Sequence, residues 1–173
     1  MTPCTKPQTA PQIIKNAIFF HPIKDVIEKE YHYLINTGKH DFFKRKYRWE
    51  YNSDINSKKL NFILDIFKGK HDFFNFCFFR EKNRGKSSTT RTIDYIKSYK
   101  IKDNLLVIKI IARGFLRYQI RAILGESIDC YEGKQTIKDL QEKLDNFNVS
   151  KKYKNLAPAG GLYLWRISYK EAS

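Results

Sequence analysis

Short apolar runs separated by polar segments predict a chain built mainly of β-strands. IIKNAIFF (residues 13–20) and EYHYLI (30–35) are rich in β-branched or aromatic residues, which favours two buried strands. Two similar runs at 90–101 and 105–112 flank the turn-forming segment KDN, so this stretch predicts a β-hairpin. GLYLWRISY (161–169) predicts a final strand.

Three other segments carry apolar residues at the spacing of an amphipathic helix. The first follows Ser57, which we interpret as its N-cap, and ends before Gly69. The second covers FLRYQIRAILGESI (115–128), and the third follows a capping box of Thr136 and Asp139. Between them, HDFFNFCFF predicts a loop that runs into another buried strand.

The resulting order, β-β-α-β-β-β-α-α-β, predicts an α+β domain over residues 13–173. Helices should pack on one face of a mostly antiparallel sheet. Residues 1–12, MTPCTKPQTAPQ, have the composition of a flexible leader.

The net charge of the chain indicates a class of binding partner. The chain has 33 Lys and Arg against 18 Asp and Glu, a net charge of +15, which favours RNA or DNA as a partner. The alternative is an inert basic surface, because abundant Lys, Ile, Asn, Phe and Tyr also reflect an AT-rich genome. The cations that we expect to reach RNA phosphates lie in predicted loops: Lys44, Arg45, Lys46 and Arg48; Arg80, Lys82, Arg84 and Lys86; Lys151, Lys152 and Lys154.

Several classes of protein are disfavoured. Three scattered cysteines and four scattered histidines form no disulfide framework and no metal-ligand motif. The chain has no apolar run of membrane-spanning length and no signal-peptide pattern. We therefore expect a reduced, cytoplasmic protein without a bound metal or a membrane anchor.

Five motifs, in order, resemble the C-terminal half of the bacterial tRNA pseudouridine synthase A family. They are KEYHYLI, FKGKHDFFNF, TTRTI, GFLRYQIRAILG and APAGGLYL, and the resemblance extends over about residues 13–170. It implies a pseudouridine synthase-like half that isomerises uridine to pseudouridine at positions 38 to 40 of the tRNA anticodon stem-loop, without a cofactor. It also implies a dimer whose basic active-site clefts lie between two related halves.

In that family the nucleophile is the aspartate of G-R-T-D-A-G, in the N-terminal half. The 173 residues contain no G-R-T-D. The tempting substitute, TRTID, has an extra residue before Asp94 and lacks the flanking glycines, so we interpret Asp94 as a solvated strand residue.

Two residues match active-site positions of the family, and two more match apolar positions that line or support its cleft. Tyr31 matches the tyrosine beside the target uracil, and Arg121 matches the arginine near the catalytic aspartate, a guanidinium that favours an ionised carboxylate. Phe115 and Leu162 match apolar positions of the cleft. Each has a structural alternative: core packing for Tyr31, Phe115 and Leu162, and a solvated helix surface for Arg121.

Three interpretations of function stay open. The chain is part of a tRNA pseudouridine synthase that works with an N-terminal half or a homodimer partner, a catalytically inactive tRNA-binding fragment, or a non-functional piece of a disrupted gene. A G-R-T-D segment encoded upstream would favour the first.

Overall fold

A computed structural model describes residues 21–51, 53–78, 88–101, 104–146, 153 and 155–170. Six strands form a single sheet: β1 (Val26–Asn36), β2 (Trp49–Glu50), β3 (Gly69–Asp72), β4 (Thr90–Ile101), β5 (Leu105–Ala112) and β6 (Leu162–Tyr169). The spatial order is β2-β1-β5-β4-β3, with β6 also paired to β1. Only the short β1–β2 pairing is parallel. The α+β class and the mostly antiparallel sheet are confirmed.

Strand β1 is the centre of the sheet. It pairs with β5 along residues 29–36 on one side, while β6 and then β2 follow on its other side. Alternation along β1 buries Tyr33 and Ile35 completely on one face. The predicted hairpin of β4 and β5 is also confirmed, and its register joins Ile96 to Ile110.

Three helices are present in the described part of the chain: α1 (Ser57–Leu64), α2 (Gln119–Tyr131) and α3 (Ile137–Asp145). The capping box of α3 forms as predicted, with the Thr136 hydroxyl accepting from the Asp139 N–H. None of these helices has the length and apolar character that a bilayer crossing requires.

One hydrophobic cluster joins the helices to the sheet. From the strands it includes Tyr33, Ile35, Ile93, Ile96, Leu106, Ile108 and Ile110, and from the helices Leu60, Ile63, Leu64, Ile123, Leu124 and Leu140. Burial of these side chains is the main favourable term in folding. Because the helices share this cluster, they pack on one face of the sheet, and none of the described helices lies on the opposite face.

Five local predictions need correction or fall outside the described residues. Asn56, not Ser57, caps α1, because the Asn56 side chain accepts hydrogen bonds from the next turn. Of the aromatic run at 71–79, the described residues 71–78 form the end of β3 and a buried 3-10 turn (Phe74–Phe76), not the predicted loop followed by a strand, and residue 79 lies outside the described residues. Helix α2 begins at Gln119, four residues later than predicted. The predicted leader 1–12 and strand 13–20 lie outside the described residues.

Candidate active site

A cleft of about 370 Å³ opens where β1, the start of α2 and the start of β6 meet. It is lined by Tyr31, Phe115, Leu116, Arg117, Tyr118, Gln119, Ile120, Arg121, Ala159 and Leu162. The four residues matched from the sequence therefore line one cavity, although they come from three separate parts of the chain: β1, the segment at 115–121 and the start of β6.

Tyr31 provides a flat aromatic wall. It projects from β1 and packs edge-on against Phe115, with ring centroids 5.3 Å apart and planes at 86°. Burial raises the pKa of the Tyr31 phenol, so its hydroxyl stays protonated near neutral pH. These side chains also serve core packing, the alternative considered for them, because Tyr31, Phe115 and Leu162 contact the core cluster.

Arg121 is anchored to the chain segment that precedes β6. Its Nε donates to the Ala157 carbonyl at 2.6 Å, and the Ala157 N–H donates back to the Arg121 carbonyl at 3.0 Å. The two terminal guanidinium nitrogens form no hydrogen bond or ion pair with the described residues. Arg121 is half-buried and therefore offers two fixed, charged donors to a ligand in the cleft.

A close approach of backbone to backbone holds this anchor in place. A Cβ on Gly125 of α2 would lie 2.6 Å from the Asn155 carbonyl oxygen, so only glycine allows the segment to lie this near the helix. Asn155 Nδ2 also donates to Asp129 on α2 at 3.0 Å. These contacts fix Ala157, and through it the direction of the Arg121 side chain.

Gly161 provides a second close approach, at the opposite wall of the cleft. A Cβ there would lie 2.8 Å from the ring of Tyr33, whose hydroxyl donates to the Pro158 carbonyl at 2.8 Å. Burial raises the pKa of Tyr33 well above its ordinary value, with the positive charge of Arg121 opposing the shift. This packing places Leu162, the first residue of β6, beside the cleft.

The start of α2 carries two features that the sequence did not reveal. Tyr118, the N-cap residue, has a left-handed backbone with φ of 66°, an uncommon conformation for a residue with a side chain. Gln119 is fully buried; its Oε1 accepts from the Leu116 N–H at 2.8 Å, and its Nε2 has no partner among the described residues. No sequence signal distinguishes these two positions, because both depend on how the loop enters the helix.

Chemically, the cleft combines a flat ring, apolar walls and a cation. No described residue in its lining is acidic. It therefore suits a planar ring such as a nucleobase, together with an anion near Arg121, and these lining residues offer no carboxylate as nucleophile.

Asp94 lies in a different groove, beside Arg91 and Arg113. It is exposed on β4, at the point where the β4–β5 register shifts between Ile93 and Tyr95. Ile93 before it is fully buried. Asp94 is thus a solvated strand residue in the geometry as well as in the sequence.

The predicted RNA-binding cations differ in how available they are. Lys44, Arg45 and Lys46 are exposed in the loop between β1 and β2. Arg48 is not: its side chain is largely buried in ion pairs with Asp41 at 3.3 Å and Glu50 at 2.6 Å. The other two predicted clusters, Arg80, Lys82, Arg84 and Lys86 with Lys151, Lys152 and Lys154, lie outside the described residues.

Glu50 organises that loop. Its carboxylate accepts from Asn36 Nδ2 at 2.6 Å, from the Asp41 N–H at 3.1 Å and from Arg48 Nε. Partial burial opposes ionisation, but these hydrogen bonds outweigh it and lower the pKa of the Glu50 carboxyl. Arg48 therefore has a structural role in holding the loop that displays the three exposed cations.

Comparison with known proteins identifies the family of this chain. The family described as tRNA pseudouridine synthase matches residues 63–170. The chain is 39% identical over 152 residues to tRNA pseudouridine synthase A of Malacoplasma penetrans, covering 87% of this chain and 59% of that protein. For the protein of the same name from Listeria welshimeri the identity is 31% over 152 residues, with 87% and 60% covered. A third, from Thermosipho melanesiensis, is 29% identical over 150 residues, with 87% and 59% covered.

The chain thus spans about three fifths of the length of these curated relatives. Within that span, the family match covers more than half of the chain. By this match, the chain belongs to the tRNA pseudouridine synthase family.

Proposed function

We propose that this chain acts as the C-terminal half of a tRNA pseudouridine synthase A. In this role it binds the tRNA anticodon stem-loop and holds a target uridine, at positions 38 to 40, for conversion to pseudouridine. The observation that carries the proposal is the meeting of Tyr31, Phe115, Arg121 and Leu162 around one cleft. The names of the relatives support the reaction class.

The division of labour follows from the lining of the cleft. Tyr31 offers a face or edge on which an extruded uracil packs, and Phe115 and Leu162 exclude water around it. Arg121 pairs with a carboxylate that attacks the base and keeps that carboxylate ionised. Because none of the described lining residues is acidic, the proposal assigns the nucleophile to the N-terminal half of the family or to a second subunit, outside the described residues.

This proposal includes the prediction that the chain alone forms no pseudouridine. A tyrosine and an arginine cannot replace covalent attack by a carboxylate. The reaction as proposed uses no cofactor and takes place in the cytoplasm, where tRNA is available.

The experiment compares unmodified tRNA incubated with the chain alone and with the chain plus a separately expressed N-terminal segment that carries G-R-T-D. Pseudouridine is located by chemical mapping. We expect no product from the chain alone and product at the target positions from the mixture. Product from the chain alone that Asp94→Asn abolishes would show that Asp94 is the nucleophile and that the proposed division of labour is wrong.

A second candidate, a catalytically inactive tRNA-binding fragment, is favoured by the net charge of +15 and by the exposed Lys44, Arg45 and Lys46. It predicts salt-sensitive tRNA binding and no product with any complementary segment. The same mixture therefore separates the two candidates.

A further inference from the structure

A second cavity, of about 460 Å³, lies beside the cleft and is lined by Lys70, Thr90, Arg91, Thr92, Asp94, Arg113 and Gly114. We name it the strand-end groove. It contains three cations and one carboxylate. None of the three cations forms an ion pair with a described residue, unlike Arg48, whose charge is neutralised by Asp41 and Glu50.

Sheet register explains why these side chains meet. Lys70 on β3 is the partner of Thr92 on β4. Ile93 pairs with Ala112 at the end of β5, so Arg113 follows directly beside Thr92. The row therefore spans β3, β4 and the residue that follows β5, and its side chains are exposed.

The groove lies on the face of the sheet on which none of the described helices packs. Ile93 points into the core that the helices cover, and Thr92, its neighbour in the strand, points the other way. None of the described helices has to be displaced for an extended ligand to reach Lys70 and Arg113.

Two of the cationic side chains are held by backbone carbonyls. Arg91 Nη1 donates to Ser88 O at 3.0 Å and to Thr90 O at 2.7 Å. Arg113 Nη2 donates to Lys24 O at 3.2 Å. These bonds restrict the side chains without neutralising them, so less conformational entropy is lost when an anion binds.

We propose that the strand-end groove binds the phosphodiester backbone of RNA next to the nucleotide held in the cleft. Lys, Arg and Thr side chains are the usual donors to nucleic-acid phosphates, and all three types line this groove. Gly114 lines the groove and Phe115, the next residue, lines the cleft, so one strand of RNA can contact both. The inference rests on the proposed function, because it assigns a backbone-binding site to the same substrate.

Asp94 allows the proposal to predict the direction of a change in RNA affinity. Its carboxylate is the one negative charge among the groove's described residues, and it opposes the approach of a phosphate. Asp94→Asn is therefore expected to tighten RNA binding, by about two- to fivefold, the range for an exposed charge interaction.

The test is a titration of fluorescent anticodon stem-loop RNA with the 173-residue chain over a salt series. The double variant Lys70→Gln/Arg113→Gln removes two of the proposed phosphate contacts. Arg91 is left unchanged, because its side chain donates to the Ser88 and Thr90 carbonyls. Each contact contributes about 0.7–0.9 to the slope of log affinity against log salt, so the slope should become shallower by about 1.4–1.8. The affinity near 0.1 M salt should fall by about 30-fold.

The matched control is Lys58→Gln/Lys138→Gln, which removes the same charge from exposed positions on α1 and at the start of α3. Circular dichroism checks that every variant is folded. The groove is supported if the control variant keeps the salt slope of the wild type and an affinity within about twofold of it. Asp94→Asn should then bind RNA more tightly than the wild type.

Salt-sensitive binding that the groove double variant and the control weaken equally would overturn the inference and leave the proposed function standing. If the wild-type chain binds no RNA, both the proposed phosphate binding by the groove and the proposed tRNA binding by this chain are wrong. Pseudouridine formation in the mixture described above would then still be tested separately.

Discussion

Gly125 offers a direct test of how the architecture positions Arg121. In Gly125→Ala the new Cβ would lie 2.6 Å from the Asn155 carbonyl oxygen and 3.1 Å from the Ala157 nitrogen. Ordinary contacts begin at 3.4 Å, so α2 and the segment at 155–157 must separate by several tenths of an ångström. The nearest atoms are backbone, so no side chain can rotate away.

The expected change in the free energy of unfolding combines two losses and one gain. Overpacking of a close contact costs about 1–3 kcal/mol, and weakening of the paired hydrogen bonds between Arg121 and Ala157 adds about 1 kcal/mol. Alanine in a helix interior returns about 1 kcal/mol relative to glycine. We therefore expect Gly125→Ala to lower the free energy of unfolding by about 2 kcal/mol, and the Tm by about 4–8 °C.

The assay is urea denaturation followed by circular dichroism, with a lower midpoint and an unchanged m-value expected. Gly114→Ala is the matched control, because nothing lies within 4 Å of its added Cβ, and it should change stability by less than about 0.5 kcal/mol. If Gly125→Ala is as stable as the wild type or more so, the close approach does not constrain the segment, and our account of how Arg121 is anchored fails.

Three further predictions address the site and its supports. Arg121→Lys in the reconstituted enzyme should lose most activity, because lysine cannot both bond a carbonyl through Nε and offer two further donors; full activity would refute the anchored-donor role. Tyr33→Phe should lower the free energy of unfolding by about 1 kcal/mol through loss of the hydrogen bond to the Pro158 carbonyl, measured by urea denaturation. Glu50→Gln should destabilise the chain by about 1–3 kcal/mol at pH 7. Because hydrogen bonds such as that from Arg48 lower the pKa of Glu50, this stabilisation is present above the unfolded value of about 4.3 and is lost as pH falls through the folded pKa. A stability difference that stays constant from pH 7 to about pH 3 would contradict that linkage.

Local pattern was sufficient for the elements whose formation depends on neighbouring residues. The alternation in β1, the hairpin of β4 and β5, and the capping box at Thr136 were predictable because each depends on contacts within a few residues along the chain. The family motifs added Tyr31 and Arg121 as a pair, although they lie ninety positions apart.

Where an element begins was less predictable, because boundaries depend on competing caps and on tertiary packing. Asn56 caps α1 because its side chain reaches two backbone N–H groups, while Ser57 is already helical. The left-handed Tyr118 delays α2 until Gln119, which moves Phe115 from a predicted helix face to the wall of the cleft.

Residue types and motifs in the sequence by themselves determined the α+β class, the basic charge and the candidates for base and carboxylate recognition. Only the tertiary structure decided which charges are available. It pairs Arg48 with Asp41 and Glu50, and it aligns Lys70 on β3 with Arg113, which follows β5, without an ion-pair partner among the described residues. The physical reason is that a charge's effect depends on neighbours within a few ångströms, and sheet register brings together neighbours that are distant in the chain.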